Sequence, residues 1–121
     1  MSLLTKTATV NIAINTALSQ AICLGDGVLC AIKMPAGWDA AALTFQVSDD
    51  QGVTWDELRD ASGTAITVAS PTAAYRLELD ATSFKSAVWL KVRSGTSGSA
   101  VNQTGAARVL TLVSRKFYPV S

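Results

Sequence analysis

The chain is written in short alternating runs. Between Thr7 and Ile14, the residues Ala8, Val10, Ile12 and Ile14 fall on one side and Thr7, Thr9, Asn11 and Ala13 on the other. A period of two marks a strand with one buried face. The alternation returns over Leu43–Ser48, where Leu43, Phe45 and Val47 oppose Thr44, Gln46 and Ser48. Asp49 to Gly52 then supply a turn, because Asp accepts bonds from nearby backbone N–H groups and Gly adopts a positive φ cheaply. A second arm follows, with Val53, Trp55 and Glu57 on one face and Leu58 on the other. The stretch LTFQVSDDQGVTWDEL is thus predicted to be a hairpin, and the rest of the chain is organised around it.

Further strands are predicted over 21–24, 28–33, 65–68, 74–79, 88–93 and 108–114. In 74–79, Tyr75, Leu77 and Leu79 share a face. In 88–93, Val88, Leu90 and Val92 point inward, and Trp89, Lys91 and Arg93 point outward. The 108–114 strand is apolar on both faces, which suits a central place in a sheet. Met34-Pro35-Ala36-Gly37-Trp38 ends the 28–33 strand and brings in Trp38 as a plug for one end of the core. Residues 39–42 fit one helical turn capped by Asp39, and 80–85 fit another started by Asp80 or Thr82. Segments 59–63 and 70–72 read as turns, and 94–106 as a Gly/Ser/Thr-rich loop. No segment sustains a 3.6-residue period, and there is no internal repeat. About eight or nine short strands at this spacing predict an all-β, single-domain, two-sheet antiparallel sandwich of jelly-roll or related Greek-key type. The sandwich domain is expected over 7–114, with an N-terminal arm over 1–6 and a C-terminal tail over 115–121.

Composition narrows the function. The 121 residues are enough for one domain with a core. Hydrophobic residues make up 49% and charged residues only 16%, so the positions between apolar ones are filled mainly by Thr, Ser, Ala and Gly. Such a composition suits strands packed on both faces, or surfaces covered by other subunits. A formal charge of +1 without basic or acidic blocks argues against binding driven by charge to nucleic acid or to an anionic membrane. The chain has no histidine, which removes His-based acid–base chemistry, His metal ligation and nucleophile–His pairs. No apolar run reaches membrane-spanning length, and the start MSLLTKTATV lacks the parts of a signal peptide, so folding in a reducing cytoplasm is expected. Cys23 and Cys30 face each other if Asp26-Gly27 forms a two-residue hairpin loop, and a disulfide is then geometrically open. A three-residue loop over Gly25, Asp26 and Gly27 removes it. The expected state is two buried free thiols.

The hairpin residues Phe45, Val47, Ser48, Asp50, Gly52 and Trp55, in FQVSDDQGVTW, resemble the FxVSxDGxxW hairpin of discoidin-like and other galactose-binding-like jelly rolls, with Gln51 as one extra residue before the glycine. From Ala21 to Leu58 the order of strand, Leu-Gly, strand ending Ile-Lys-Met-Pro, Ala-Gly-Trp, LTFQVS and Trp looks like a family of small tailed-bacteriophage and prophage virion proteins. LKVRSG at 90–95 and RVLTL at 108–112 fit the same pattern. The resemblance rests on structural residues and transfers no catalytic one. It implies a non-enzymatic virion structural protein without a cofactor. Its most favoured place is the head, as capsid decoration or as the base of a head spike or fibre, and the tail is the alternative. The implied partners are other virion proteins, among them further copies of the chain, with assembly in the host bacterial cytoplasm.

Candidate contact residues are Trp38, Trp89, Phe117 and Tyr118. Trp89 is expected near an edge, a subunit contact or a ligand. A second functional reading is a carbohydrate-binding module for host adsorption, with exposed Trp residues stacking on sugars. Asp49 and Asp50, with Asp26 or Asp56, offer oxygen ligands of the kind calcium takes. The turn already accounts for the two adjacent residues, so no metal site is expected. As neighbours in one turn, Asp49 and Asp50 also do not straddle a glycosidic bond.

Overall fold

The computed structural model describes residues 5–69, 71 and 73–116. The chain forms β1 (Thr5–Ile12), β2 (Ile22–Cys23), β3 (Val28–Lys33), β4 (Leu43–Ser48), β5 (Asp56–Glu57), β6 (Arg76–Glu78), a 3-10 turn (Ala81–Phe84), β7 (Trp89–Thr96), β8 (Ser99–Ala100) and β9 (Arg108–Arg115). No α-helix occurs among the described residues. All pairings are antiparallel. One sheet has the order β1-β9-β3-β6, and the second has the order β2-β7-β4-β5, with β8 also on β7.

With β8 set aside, each sheet holds four strands, and the chain changes sheets at almost every connection. This is the path of a jelly roll, as the alternation predicts. The inner faces meet in one core of Val10, Ile12, Leu29, Ile32, Leu43, Phe45, Leu90, Val92, Leu110 and Leu112, all essentially inaccessible. Phe45 meets Phe84 edge to face with ring centroids 5.0 Å apart, so the 3-10 turn closes the core. Asp80 caps that turn by accepting from the N–H and hydroxyl of Thr82, as expected of its start.

The fold departs from the sequence reading at several places. Strand β1 starts at Thr5 rather than Thr7 and ends at Ile12. Asn15 takes a positive φ of 65°, the chain turns away, and Ile14 is left 49% exposed. Residues 65–68 form only two isolated bridges, Arg59 to Ala65 and Leu43 to Val68. The 74–79 strand shortens to Arg76–Glu78 because Ala74 sits at a φ of 63°, which turns Tyr75 out to solvent while Leu77 and Leu79 stay against the core. Residues 39–42 are not helical. The 94–106 segment is not all loop. Strand β7 runs on to Thr96, turns at Ser97 and Gly98 and folds back as β8, and β8 packs so close to Gly95, whose φ is 91°, that a Cβ there would stand 2.5 Å from the Ser99 carbonyl oxygen. The 70–72 turn lies partly outside the described residues.

The cysteine geometry is also corrected. Strands β2 and β3 belong to different sheets, so Cys23 and Cys30 never face each other. The turn between them is a corner, with the Gly27 N–H donating to the Leu24 carbonyl and Gly25 at a φ of 62°. Both thiols are free, but Cys23 is exposed and Cys30 only half-buried at an irregularity of β3. Burial, followed by the charge of Glu78, pushes the Cys30 thiol above its ordinary pKa.

Candidate functional site

The outward face of the second sheet gathers the chain's chemistry. Alternation along β7 sends Leu90 and Val92 into the core and Trp89, Lys91 and Arg93 outward. Register places Trp89 between Cys23 of β2 and Ser48 of β4, Lys91 beside Gln46, and Arg93 beside Thr44. Gln46 in turn faces Glu57 of β5. Val88, expected on the inward side, lies before the strand and is exposed.

Arg93 faces outward but does not reach solvent. It is 6% exposed, because its guanidinium donates to both carboxylate oxygens of Glu57, and its Nε donates to Thr44 Oγ1 at 3.0 Å. Thr44 passes the chain on, donating at 2.7 Å to the Gly95 carbonyl. The ion pair and the hydroxyl are thus one closed network tying β7, β4 and β5 together. An arginine held in a network of this kind positions the strands it joins.

Trp55 enters the same face from the hairpin loop. Lys91 Nζ stands 4.5 Å from its ring centroid, and the indole N–H donates at 3.0 Å to the Gly52 carbonyl. Trp55 is half-buried, while Val53, expected on its face, is 78% exposed and Leu58 is the residue that reaches the core. The hairpin loop itself is internally saturated. Gln51 and Gly52 lie at φ 62° and 88°, and the Val53 N–H returns to the Asp50 carbonyl, so the inserted Gln51 takes the first of two left-handed positions. Asp50 accepts at 2.6 Å from the Thr54 hydroxyl, at 2.8 Å from the Thr54 N–H and at 2.7 Å from the Ser48 hydroxyl. These bonds, those of Thr54 first, draw its carboxyl down to about 2. Among the described residues no three His, Cys, Asp or Glu side chains converge to hold a metal ion. Asp26, one of the acids considered with Asp50, instead pairs with Lys116 at 2.8 Å.

The other sequence candidates separate. Trp38 is buried in the core, its indole N–H donating to the Ala41 carbonyl at 3.2 Å, so it is a plug and not a surface contact. Trp89 is half-buried on the outward face, beside the last residue of β4, whereas Trp38 joins the core ahead of its first. Phe117 and Tyr118 lie outside the described residues.

A buried polar residue also escaped the sequence reading. Gln103, within the expected loop, is completely buried. Its Nε2 donates to the Asp39 carbonyl at 3.0 Å and to Ser94 Oγ at 2.9 Å, and its Oε1 accepts from the Asp39 N–H at 2.8 Å. Asp39 accepts from the Thr104 N–H and hydroxyl, which, with Arg108, hold its carboxyl below the usual range. Asp39 therefore anchors this loop instead of capping a helix. The signal was a polar residue with long reach inside a run of small ones.

Two depressions open elsewhere on the surface. One, of about 230 Å³, lies between Ile66, Val68, Leu79, Asp80 and Phe84. The other, of about 350 Å³, is lined by Val28, Ala81, Thr82 and Lys85. The Asp80 carboxylate in the first is already committed to Thr82. No helix among the described residues is long and apolar enough to cross a membrane. No protein-family model, curated protein or solved structure matches this chain.

Proposed function

We propose that this chain is a non-enzymatic structural protein of a bacteriophage virion. Its place is on the head, as capsid decoration or as the base of a head spike or fibre, where it binds other virion subunits. The observation that carries the reading is how its few charges are used. Arg93 with Glu57, Arg108 with Asp39, Arg76 with Glu78 and Lys116 with Asp26 are paired within the molecule. The other charges, among them Lys33, Asp49, Asp56 and Lys85, are scattered over an exposed surface rich in Thr, Ser, Val and Ala, which associates by burial and backbone bonding more than by charge. The resemblance of 21–58 to small virion proteins points the same way. Jelly rolls serve in viral capsids and in lectins alike, so the fold alone does not choose between them.

Trp89, half-buried beside Ser48 with Gln46 and Lys91 near, is the observation that favours a second reading, a carbohydrate-binding surface for host adsorption. Mass spectrometry of purified virions, joined to a low-resolution map, tests the first reading. The chain is expected in a fixed ratio to the capsid protein and at the head surface. Its absence from particles overturns the proposal. Glycan-array binding that disappears in a folded Trp89→Ala variant would instead select the second reading.

A further inference from the structure

Strand β1 is an edge that no described residue covers along most of its length. It pairs with β9 on one side only, through eight unbroken residue pairs from Thr5 with Arg115 to Ile12 with Arg108. The direction of its free backbone groups follows from two contacts. The Asn11 N–H donates to the Gln20 side-chain carbonyl, away from β9. The Val113 carbonyl, opposite Thr7, points toward β3, where Cys30 Sγ reaches it. In an antiparallel ladder, alternate residues bond alternate neighbours. The odd residues Thr5, Thr7, Thr9 and Asn11 therefore present their N–H and C=O groups to the open side. Gln20 occupies the Asn11 donor, which leaves Thr5 to Thr9 as the usable edge.

The remaining sheet edges are blunt. Strands β2, β5 and β8 have two residues each, and β6 has three, with Arg76 and Glu78 paired along it. Short and charged edges discourage pairing with other chains. The usable stretch of β1 has no proline or bulge, and Lys6 is its only charge.

We propose that this edge pairs with the same edge of a second copy, antiparallel about a twofold axis through Thr7. The register follows from the edge itself. The ladder must join odd residues to odd residues and stop short of the occupied Asn11. An axis at Thr7 puts Thr7 opposite Thr7 and Thr5 opposite Thr9, whereas an axis at Ala8 brings Asn11 into the ladder. On the outer face the contact is then a row of Thr–Thr pairs, a favourable cross-strand combination. On the other face Lys6 stands opposite Ala8 rather than its own copy. A net charge of +1 per chain adds little repulsion. Two four-stranded sheets become one continuous sheet of eight. The contact is mostly backbone and smaller than a typical permanent interface, so the dimer forms in a concentration-dependent way.

Sedimentation equilibrium of the whole chain tests this. The weight-average mass is expected to rise about twofold with concentration. Thr7→Pro deletes one open-side N–H without touching a bond to β9, a position where an edge strand tolerates proline. It is expected to remain monomeric with an unchanged melting temperature. Should that variant fail to fold, Thr7→Lys places like charges face to face on the same axis, and it too should stay monomeric. In a Cys23→Ser background, Thr7→Cys should oxidise to a linked dimer, Thr9→Cys alone should not, and Thr5→Cys mixed with Thr9→Cys should. A wild-type chain that stays monomeric at every concentration overturns the proposal. So does a dimer that survives both Thr7 variants, or cross-linking only between Thr7→Cys and Thr9→Cys. The result is independent of whether the chain is found in virions.

Discussion

At the scale of single residues, the hairpin loop shows how a sequence motif can suggest a ligand site and be a structural device. Asp50 is exposed, yet both its carboxylate oxygens are taken up within the loop by Thr54 and Ser48. Its pKa falls from 3.8 to about 2 in the folded chain, so its bonds stabilise the fold fully above 3.8 and lose that effect as pH falls toward about 2. Asp50→Asn lacks this titration. Calorimetry is expected to show a melting-temperature gap between wild type and variant that is constant near neutrality and closes across that acid window. A gap that persists to pH 2 would mean the loop does not favour the carboxylate. Residues of this kind were legible in advance, because Asp followed by Thr and Gly has a local meaning that needs no partner from elsewhere. Trp38 was legible as a plug for the same reason, since a strand-breaking Pro and Gly precede it. Arg93 and Gln103 were not legible. Their burial depends on Glu57, far away in the chain, in the first case and on Asp39 in the second, and alternation says only which face a side chain leaves from, not what stands above it.

At the scale of elements, the second sheet is held across its outer face by ionic and hydroxyl contacts in addition to its core. Side-chain exposure is 8% for Arg93 and 14% for Glu57, so removing one partner strands the other in a poorly hydrated place. Glu57→Leu is expected to cost roughly 3 kcal/mol in urea unfolding, whereas Glu57→Leu combined with Arg93→Met should cost about 1 kcal/mol or less, because breaking a buried pair is worse than replacing it. Additive single losses would show that the two residues act separately. The strands the sequence marked most clearly, β1, β4, β7 and β9, are among the long ones, and all but β1 lie inside a sheet. The weakly marked ones, 65–68 and 74–79, shrank to bridges or three residues. Their boundaries are set by backbone turns at Ala74 and by neighbours that arrive from distant parts of the chain, neither of which a hydrophobic pattern records. The same reason explains the cysteines. A hairpin was the local reading of 21–33, but β2 and β3 find their partners in β7 and in β6 and β9.

At the scale of the whole molecule, the two halves of the chain are interleaved. The exposed turn at 60–64, closed by Asp60 and Gly63, divides β1 to β5 from β6 to β9. In the first sheet the order β1-β9-β3-β6 alternates strictly between the halves, and in the second β7 is inserted between β2 and β4. Within the first half only β4 and β5 are neighbours, and within the second only β7 and β8. Neither half can build a sheet by itself, since a lone two-stranded hairpin is at best marginal in water. Contacts of such long sequence separation also make folding slow, on the order of milliseconds to seconds. Fragments 1–62 and 63–121 produced separately are therefore expected to show no cooperative thermal transition by circular dichroism. Produced together, they should copurify one to one and melt in a single transition, because every strand pair except the two local hairpins is shared between them. A cooperative melt from 63–121 alone would show that β7 and β9 need no partner from the first half. That result would contradict the interleaved order of the two sheets.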